Sequence, residues 1–137
     1  MKLFATYTLI ILFSLTIVFH ILVLVSVIPN DIVWGSRLSN PKEIALFETI
    51  SIALNTLFLL VILISAGILK VKISSKIIKG FIWGMMVFFL LNTIGNLASE
   101  STLEKIVFTP LTLFLSISLL FLVLPDKKKQ RQNILNM

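Results

Sequence analysis

Five polar side chains lie within long apolar stretches of this sequence: His20, Glu48, Asn55, Asn92 and Asn96. In a lipid bilayer an ionisable or amide side chain is costly, so each of them is a candidate functional residue. A carboxyl group and an imidazole can act together as a proton carrier or an acid–base pair. The amides can donate hydrogen bonds to a ligand or accept them from it.

Helical spacing groups these residues on common faces. Ser51 and Asn55 follow Glu48 at i+3 and i+7, which places the three side chains on one face of a helix. Asn92 and Asn96 are one turn apart on a later helix. The spacing therefore predicts two polar helix faces, with His20 available to face Glu48 from the first helix.

Structural interpretations stand beside these functional ones. Glu48 could reach the membrane interface or pair with Arg37 or Lys105, and His20 could be an ordinary packing residue. Amides on one helix face commonly hydrogen-bond to neighbouring helices, which is a packing role worth about 0.6 kcal/mol per bond.

The composition indicates that membrane-spanning segments position these side chains. The chain has 137 residues, of which 58% are hydrophobic and 13% charged, whereas soluble domains average about 25% charged residues. Because so short a soluble chain could not bury that much apolar surface, we expect lipid to cover it. Cysteine is absent and His20 is the only histidine. We therefore predict no disulfide, no metal site and no cofactor.

Four stretches are long enough for spans of roughly 20 apolar residues. Asn40-Pro41 with Glu43 predicts a helix start before the second stretch, and Ser101 with Glu104 predicts one before the fourth. Pro110 should interrupt the fourth helix and free the carbonyl of Ile106, which Thr109 or a neighbour could satisfy. We predict spans at about 7–28, 44–69, 77–97 and 103–124.

The distribution of basic residues predicts the orientation. Nine of the twelve Lys and Arg residues lie on the side of the membrane that holds the chain ends and the connection between the second and third spans, and three lie on the other side. By the positive-inside rule, both termini are cytoplasmic. The predicted fold is an all-α membrane protein with one domain, an antiparallel four-helix transmembrane bundle followed by a basic cytoplasmic tail at 125–137.

This topology brings the polar residues together. His20, Glu48, Asn92 and Asn96 all map to the outer half of the bundle, and Asn55 lies nearer the midplane. We predict that they line a small polar pocket in the outer leaflet, whereas the cytoplasmic half has no comparable set.

The connection after the first span is unusually apolar for a solvated loop. Trp34 is suited to the outer interface, and Arg37 could bind a lipid phosphate or an acidic side chain. The loop is either an anchor in the interface or a lid over the outer pocket. Its I-P-x-D-I-x-W-G-x-R-L pattern resembles a group of small four-span bacterial membrane proteins of unassigned function, although Ser36 stands where a second glycine is expected. The resemblance implies a bacterial inner-membrane protein and no particular activity.

Small residues on the third helix suggest close packing. Gly80 and Gly84 form a small-xxx-small pair, and Gly95 and Ser99 repeat the spacing. We expect these pairs to pack within the bundle, and the alternative is an interface between copies of the chain.

The predicted function is binding of a small lipophile or lipid headgroup in the outer pocket by His20, Trp34, Arg37, Glu48, Asn55, Asn92 and Asn96. The alternative is a small interaction subunit or homo-oligomer that packs through the third helix with itself or another membrane protein. The third hypothesis is an enzyme that uses Glu48 and His20. It is the least favoured of the three, because no nucleophile motif frames any serine. Membrane lipids are the expected partners and nucleic acid is not, since the basic residues sit beside apolar spans.

Overall fold

The computed structural model describes residues 2–29, 38 and 40–124, and all regular structure in these residues is helical. Three helices are regular: α1 (Lys2–Leu24), α2 (Pro41–Ser65) and α3 (Ser75–Leu97). The fourth span, Glu104–Val123, consists of a π-helical turn at Glu104–Phe108 followed by α4 (Thr109–Val123). Each of the four is long and apolar enough to cross a membrane. The predicted four-helix transmembrane bundle is confirmed, and the predicted basic tail lies outside the described residues.

Neighbouring helices pack in sequence order and close into a bundle. The most extensive contacts are between α1 and α2 and between α3 and α4, and α1 also packs on α4. Lys2 Nζ donates to the carbonyl of Leu124 at 2.6 Å, so α1 begins beside the end of α4. We call this end the terminal end. The opposite end, where α1 leads to α2 and α3 to α4, is the hairpin end.

The surface of the bundle is as apolar as its interior. Leu9, Phe13, Ile62 and Leu119 are fully buried. Outward-facing residues are also large and apolar, for example Phe4 at 73% exposure. An apolar exterior over an apolar core is the arrangement expected of helices whose outer faces contact lipid.

Helix ends follow local backbone chemistry. The Asn40 side chain accepts a hydrogen bond from the Lys42 N–H at 3.0 Å, as the predicted N-cap requires. Gly67, with φ 73°, ends α2, and Ser26, with φ 59°, occupies the same left-handed position after α1. At each of these two positions, the N–H of the residue and the N–H of the next residue bond to carbonyls of the last helical turn, which is a Schellman motif. The predicted first and second spans ran on to about 28 and 69 because apolar residues continue past these turns.

The fourth span differs from expectation at Pro110. The Thr109 N–H bonds to the carbonyl of Glu104, five residues earlier, which makes this turn π-helical. The Thr109 hydroxyl donates to the same oxygen at 3.1 Å. Thr109 thus bonds the carbonyl of Glu104 and not that of Ile106, which the sequence had assigned to Thr109 or a neighbour. Proline lacks an N–H and its ring crowds the preceding turn, and the chain accommodates it by widening that turn.

The expected role of the glycine pairs is also wrong. A Cβ atom added at Gly80, Gly84 or Gly95 would have no atom outside its own helix within 4 Å. No neighbouring helix approaches these positions closely, because α3 packs mainly on α4 through other residues and contacts α2 less. The glycines therefore face outward from the bundle.

Candidate functional site

Four phenylalanines form a cluster across the middle of the bundle. Phe13 lies at the midpoint of α1, and its ring contacts Phe58 at 6.0 Å and Phe89 at 5.7 Å between centroids. Phe58 and Phe89 are 5.7 Å apart, and Phe88 contacts both of them. Because these rings come from three helices, the phenylalanine cluster separates the hairpin side of the bundle from the terminal side.

Buried polar side chains concentrate on the hairpin side of this cluster. Those with 9% exposure or less are Glu48, Asn55, Thr93, Ser99 and Glu104. On the other side, Ser116 and Ser118 are buried, and the Ser116 hydroxyl donates to the Met86 carbonyl at 3.1 Å. Serine hydroxyls are easily satisfied within a helix bundle, whereas carboxyl and amide groups are much more costly to bury. The predicted difference between the two halves of the bundle is therefore present.

His20 and Glu48 form the central contact of this polar set. His20 Nδ1 and Glu48 Oε2 lie 2.7 Å apart and share a hydrogen bond between α1 and α2. The Glu48 side chain is fully buried, and the His20 side chain is 17% exposed. The Glu48 carboxyl group therefore points into the bundle, and its alternative pairing with Arg37 lies outside the described residues. The structure places His20 against Glu48, which is one of the two interpretations of His20 that the sequence left open.

The surroundings of His20 hold its ring in place. Phe19, its neighbour in the chain, packs against the imidazole at 5.6 Å between centroids and against Phe108 of the π-helical turn at 5.6 Å. The imidazole is thus fixed by aromatic contacts while it bonds the carboxyl group. A short hydrogen bond between these two groups allows a proton to pass between them and gives a bound molecule both an acceptor and a donor.

Asn55 lies on the same face of α2, closer to the phenylalanine cluster. Its Nδ2 donates to the Ser51 carbonyl at 2.8 Å, which fixes the orientation of the amide. Its Oδ1 is buried and has no hydrogen-bond partner among the described residues. A buried acceptor without a donor costs about 1–3 kcal/mol. Asn55 therefore presents an oxygen that a ligand with an N–H or O–H group would satisfy.

A second polar group joins α3 to α4. The hydroxyls of Thr93 and Thr112 hydrogen-bond at 3.0 Å, and Asn96 Nδ2 donates to Thr112 Oγ1 at 3.4 Å. Thr112 thus connects the two helices, and Asn96 has a packing role here as well as being a candidate ligand residue. Asn92 is half-buried, and its side chain makes no hydrogen bond to another described residue.

The burial of Glu104 does not follow from the sequence. The capping box predicts a hydrogen bond between the Glu104 N–H and Ser101 Oγ, and this bond is present at 3.4 Å. Yet Glu104 is only 8% exposed, a second carboxyl group buried on the hairpin side. The π-helical turn changes the direction of residues around it, so regular helical spacing could not locate this side chain. In the sequence, Pro110 is the residue that indicates an irregular turn at this place.

Two predicted site residues, Trp34 and Arg37, lie outside the described residues. Across residues 2–29, 38 and 40–124, no three His, Cys, Asp or Glu side chains are grouped so that they could hold a metal ion. No family model, curated protein or solved structure matches the chain. The resemblance to small four-span bacterial proteins therefore stays a prediction.

Proposed function

We propose that the protein binds a small lipophile or a lipid headgroup among the polar side chains of the hairpin end. The observation that carries this proposal is the fully buried Glu48 bonded to His20, on the same α2 face as the unpartnered Asn55 oxygen. Polar groups placed this deeply between membrane helices are expensive and mark binding sites or pathways.

The geometry supports a ligand that carries hydrogen-bond donors. Glu48 and Asn55 are seven residues apart, which is about 10 Å along a helix. Asn55 Oδ1 is the unpartnered acceptor, the His20–Glu48 pair lies on the same side of α2, and the phenylalanine cluster lies beneath Asn55. An amphiphile oriented along α2 would place a hydroxyl or amine near Asn55 Oδ1 and a polar group near the His20–Glu48 pair.

The basic residues support an outward orientation for this site. The terminal end carries Lys2 and the lysines of the α2–α3 connection, whereas Lys42 and Lys105 lie at the hairpin end. The positive-inside rule then places the hairpin end at the outer face of a bacterial cytoplasmic membrane. The ligand would reach the site from the outer leaflet or from the water outside.

Native mass spectrometry after gentle extraction tests this function. Wild type should release with a discrete bound mass, and Glu48→Gln should lose it, because the amide keeps the size of the side chain but replaces an acceptor oxygen with an N–H group. The control is Glu43→Gln, an exposed carboxyl group in the first turn of the same helix. Identical bound masses in all three proteins would overturn the proposal.

A further inference from the structure

An apolar groove lies between α2 and α3 on the terminal side of the phenylalanine cluster. It has a volume of about 530 Å³ and is lined by Leu57 and Phe58 of α2 and by six residues of α3 between Ile77 and Phe88. Phe58 and Phe88 belong to the phenylalanine cluster, so the groove ends where the polar site of the hairpin end begins. The two features therefore occupy opposite halves of the bundle.

Two glycines create this groove. An added Cβ at Gly80 or Gly84 would meet nothing within 4 Å, so the space beside them is open. Lys76, Gly80, Gly84 and Phe88 follow one another at intervals of four residues and share one face of α3. From the start of α3 inward, this face carries the Lys76 ammonium group, then the open space beside the two glycines, then the Phe88 ring.

The length of the groove matches one leaflet of a bilayer. Ile77 and Phe88 are eleven residues apart, which is about 16 Å of helix. A bilayer's hydrocarbon core is about 30 Å thick, so the groove extends to roughly its middle. The groove stops at Phe58 and Phe88. Its dimensions favour an acyl chain.

The mouth of the groove is strongly basic. Lys70 and Lys72 lie in the α2–α3 connection, Lys76 and Lys79 lie in the first turns of α3, and all four are exposed. The sequence from Ser65 to Phe88 contains no acidic residue to offset them. Clusters of lysine beside a span attract anionic headgroups.

We infer that this groove is a binding site for an anionic phospholipid. One acyl chain lies over Gly80 and Gly84 and ends at the phenylalanine cluster. The phosphate and its headgroup lie among Lys72, Lys76 and Lys79. The site is independent of the ligand proposed for the hairpin end, because none of its residues belongs to that polar set.

Lipid titration followed by native mass spectrometry tests the inference. The protein, stripped of lipid in dodecyl maltoside, receives dioleoylphosphatidylglycerol or dioleoylphosphatidylcholine, which share their acyl chains and differ in net charge. Wild type should bind one phosphatidylglycerol about tenfold more tightly than phosphatidylcholine. Lys76→Gln with Lys79→Gln should remove most of this preference and leave the binding of phosphatidylcholine unchanged.

A matched pair of variants locates the acyl chain. Gly84→Leu fills the groove, and we expect it to weaken phosphatidylglycerol binding about tenfold. Gly95→Leu is the control, because Gly95 is equally open but lies near the other end of α3. Both changes favour helix, so neither should prevent folding. Unchanged binding in Gly84→Leu would overturn the inference. So would a wild-type dimer that Gly84→Leu dissociates, since the groove would then be an interface between copies.

Discussion

At the residue scale, the hydrogen bond between His20 and Glu48 connects stability with the proposed function. The imidazole is a hydrogen-bond partner of a fully buried carboxyl group and helps to make its burial between α1 and α2 tolerable. A pair of apolar residues could join the same two helices without this cost. The two helices nevertheless carry the His20–Glu48 pair, and we therefore assign a function to this pair.

Variants of this pair separate its two roles. His20→Phe alone should destabilise the protein by about 3–5 kcal/mol, because it leaves the buried Glu48 carboxyl without its imidazole. His20→Phe combined with Glu48→Leu should recover most of this loss, since well-packed apolar residues often replace a buried pair at little cost. Thermal unfolding in detergent measures both. A single variant as stable as wild type would show that the imidazole does not stabilise the carboxyl group.

At the element scale, α3 and α4 are joined by hydroxyl and amide groups rather than by glycine contacts. Thr112 receives hydrogen bonds from Thr93 and Asn96 and lies one turn beyond the π-helical stretch. The sequence predicted that Asn96 makes polar contacts between helices. It did not predict that Thr112 accepts such contacts, because a threonine among apolar residues usually bonds its own helix. Thr112 does this too, to the Phe108 carbonyl at 2.8 Å.

Removal of the Thr112 hydroxyl should loosen this helix pair. Thr112→Val keeps the shape of the side chain, and it should cost about 1 kcal/mol, since Thr93 and Asn96 then lose a partner across the interface. Thr56→Val, at an exposed position of α2, is the control. Equal unfolding temperatures for the two variants would indicate that the Thr112 bonds add nothing to the packing of α3 on α4.

At the scale of the whole molecule, the architecture followed from hydropathy and capping. Four long apolar runs have few alternatives in a membrane, and Asn40 with Pro41 marked the start of α2 correctly. The arrangement of helices around one another was harder to predict. The outward-facing glycines depend on which helices pack together, and the burial of Glu104 depends on the π-helical turn. Neither is encoded in local sequence spacing.

Orientation across the membrane is a separate prediction at this scale. The chain has no cysteine, so single cysteines can be introduced as markers. In intact cells, a membrane-impermeant maleimide should label Lys105→Cys at the hairpin end and not Lys72→Cys at the terminal end. Both should react after permeabilisation. Labelling of Lys72→Cys in intact cells would reverse the orientation and place the polar site on the cytoplasmic side.

The most direct test of the proposed binding site is the variant Asn55→Leu, with stability and bound mass measured on the same preparation. If Asn55 Oδ1 serves a ligand, the stripped variant should unfold at a higher temperature than stripped wild type, because an unpartnered buried acceptor has been removed. The variant extracted gently should also lack the bound mass that wild type carries. The control is Ser118→Ala, which removes a buried hydroxyl of α4 on the terminal side of the phenylalanine cluster, away from the proposed site. A less stable Asn55→Leu protein that keeps the bound mass would contradict the account, since Asn55 would then be a structural residue of the bundle.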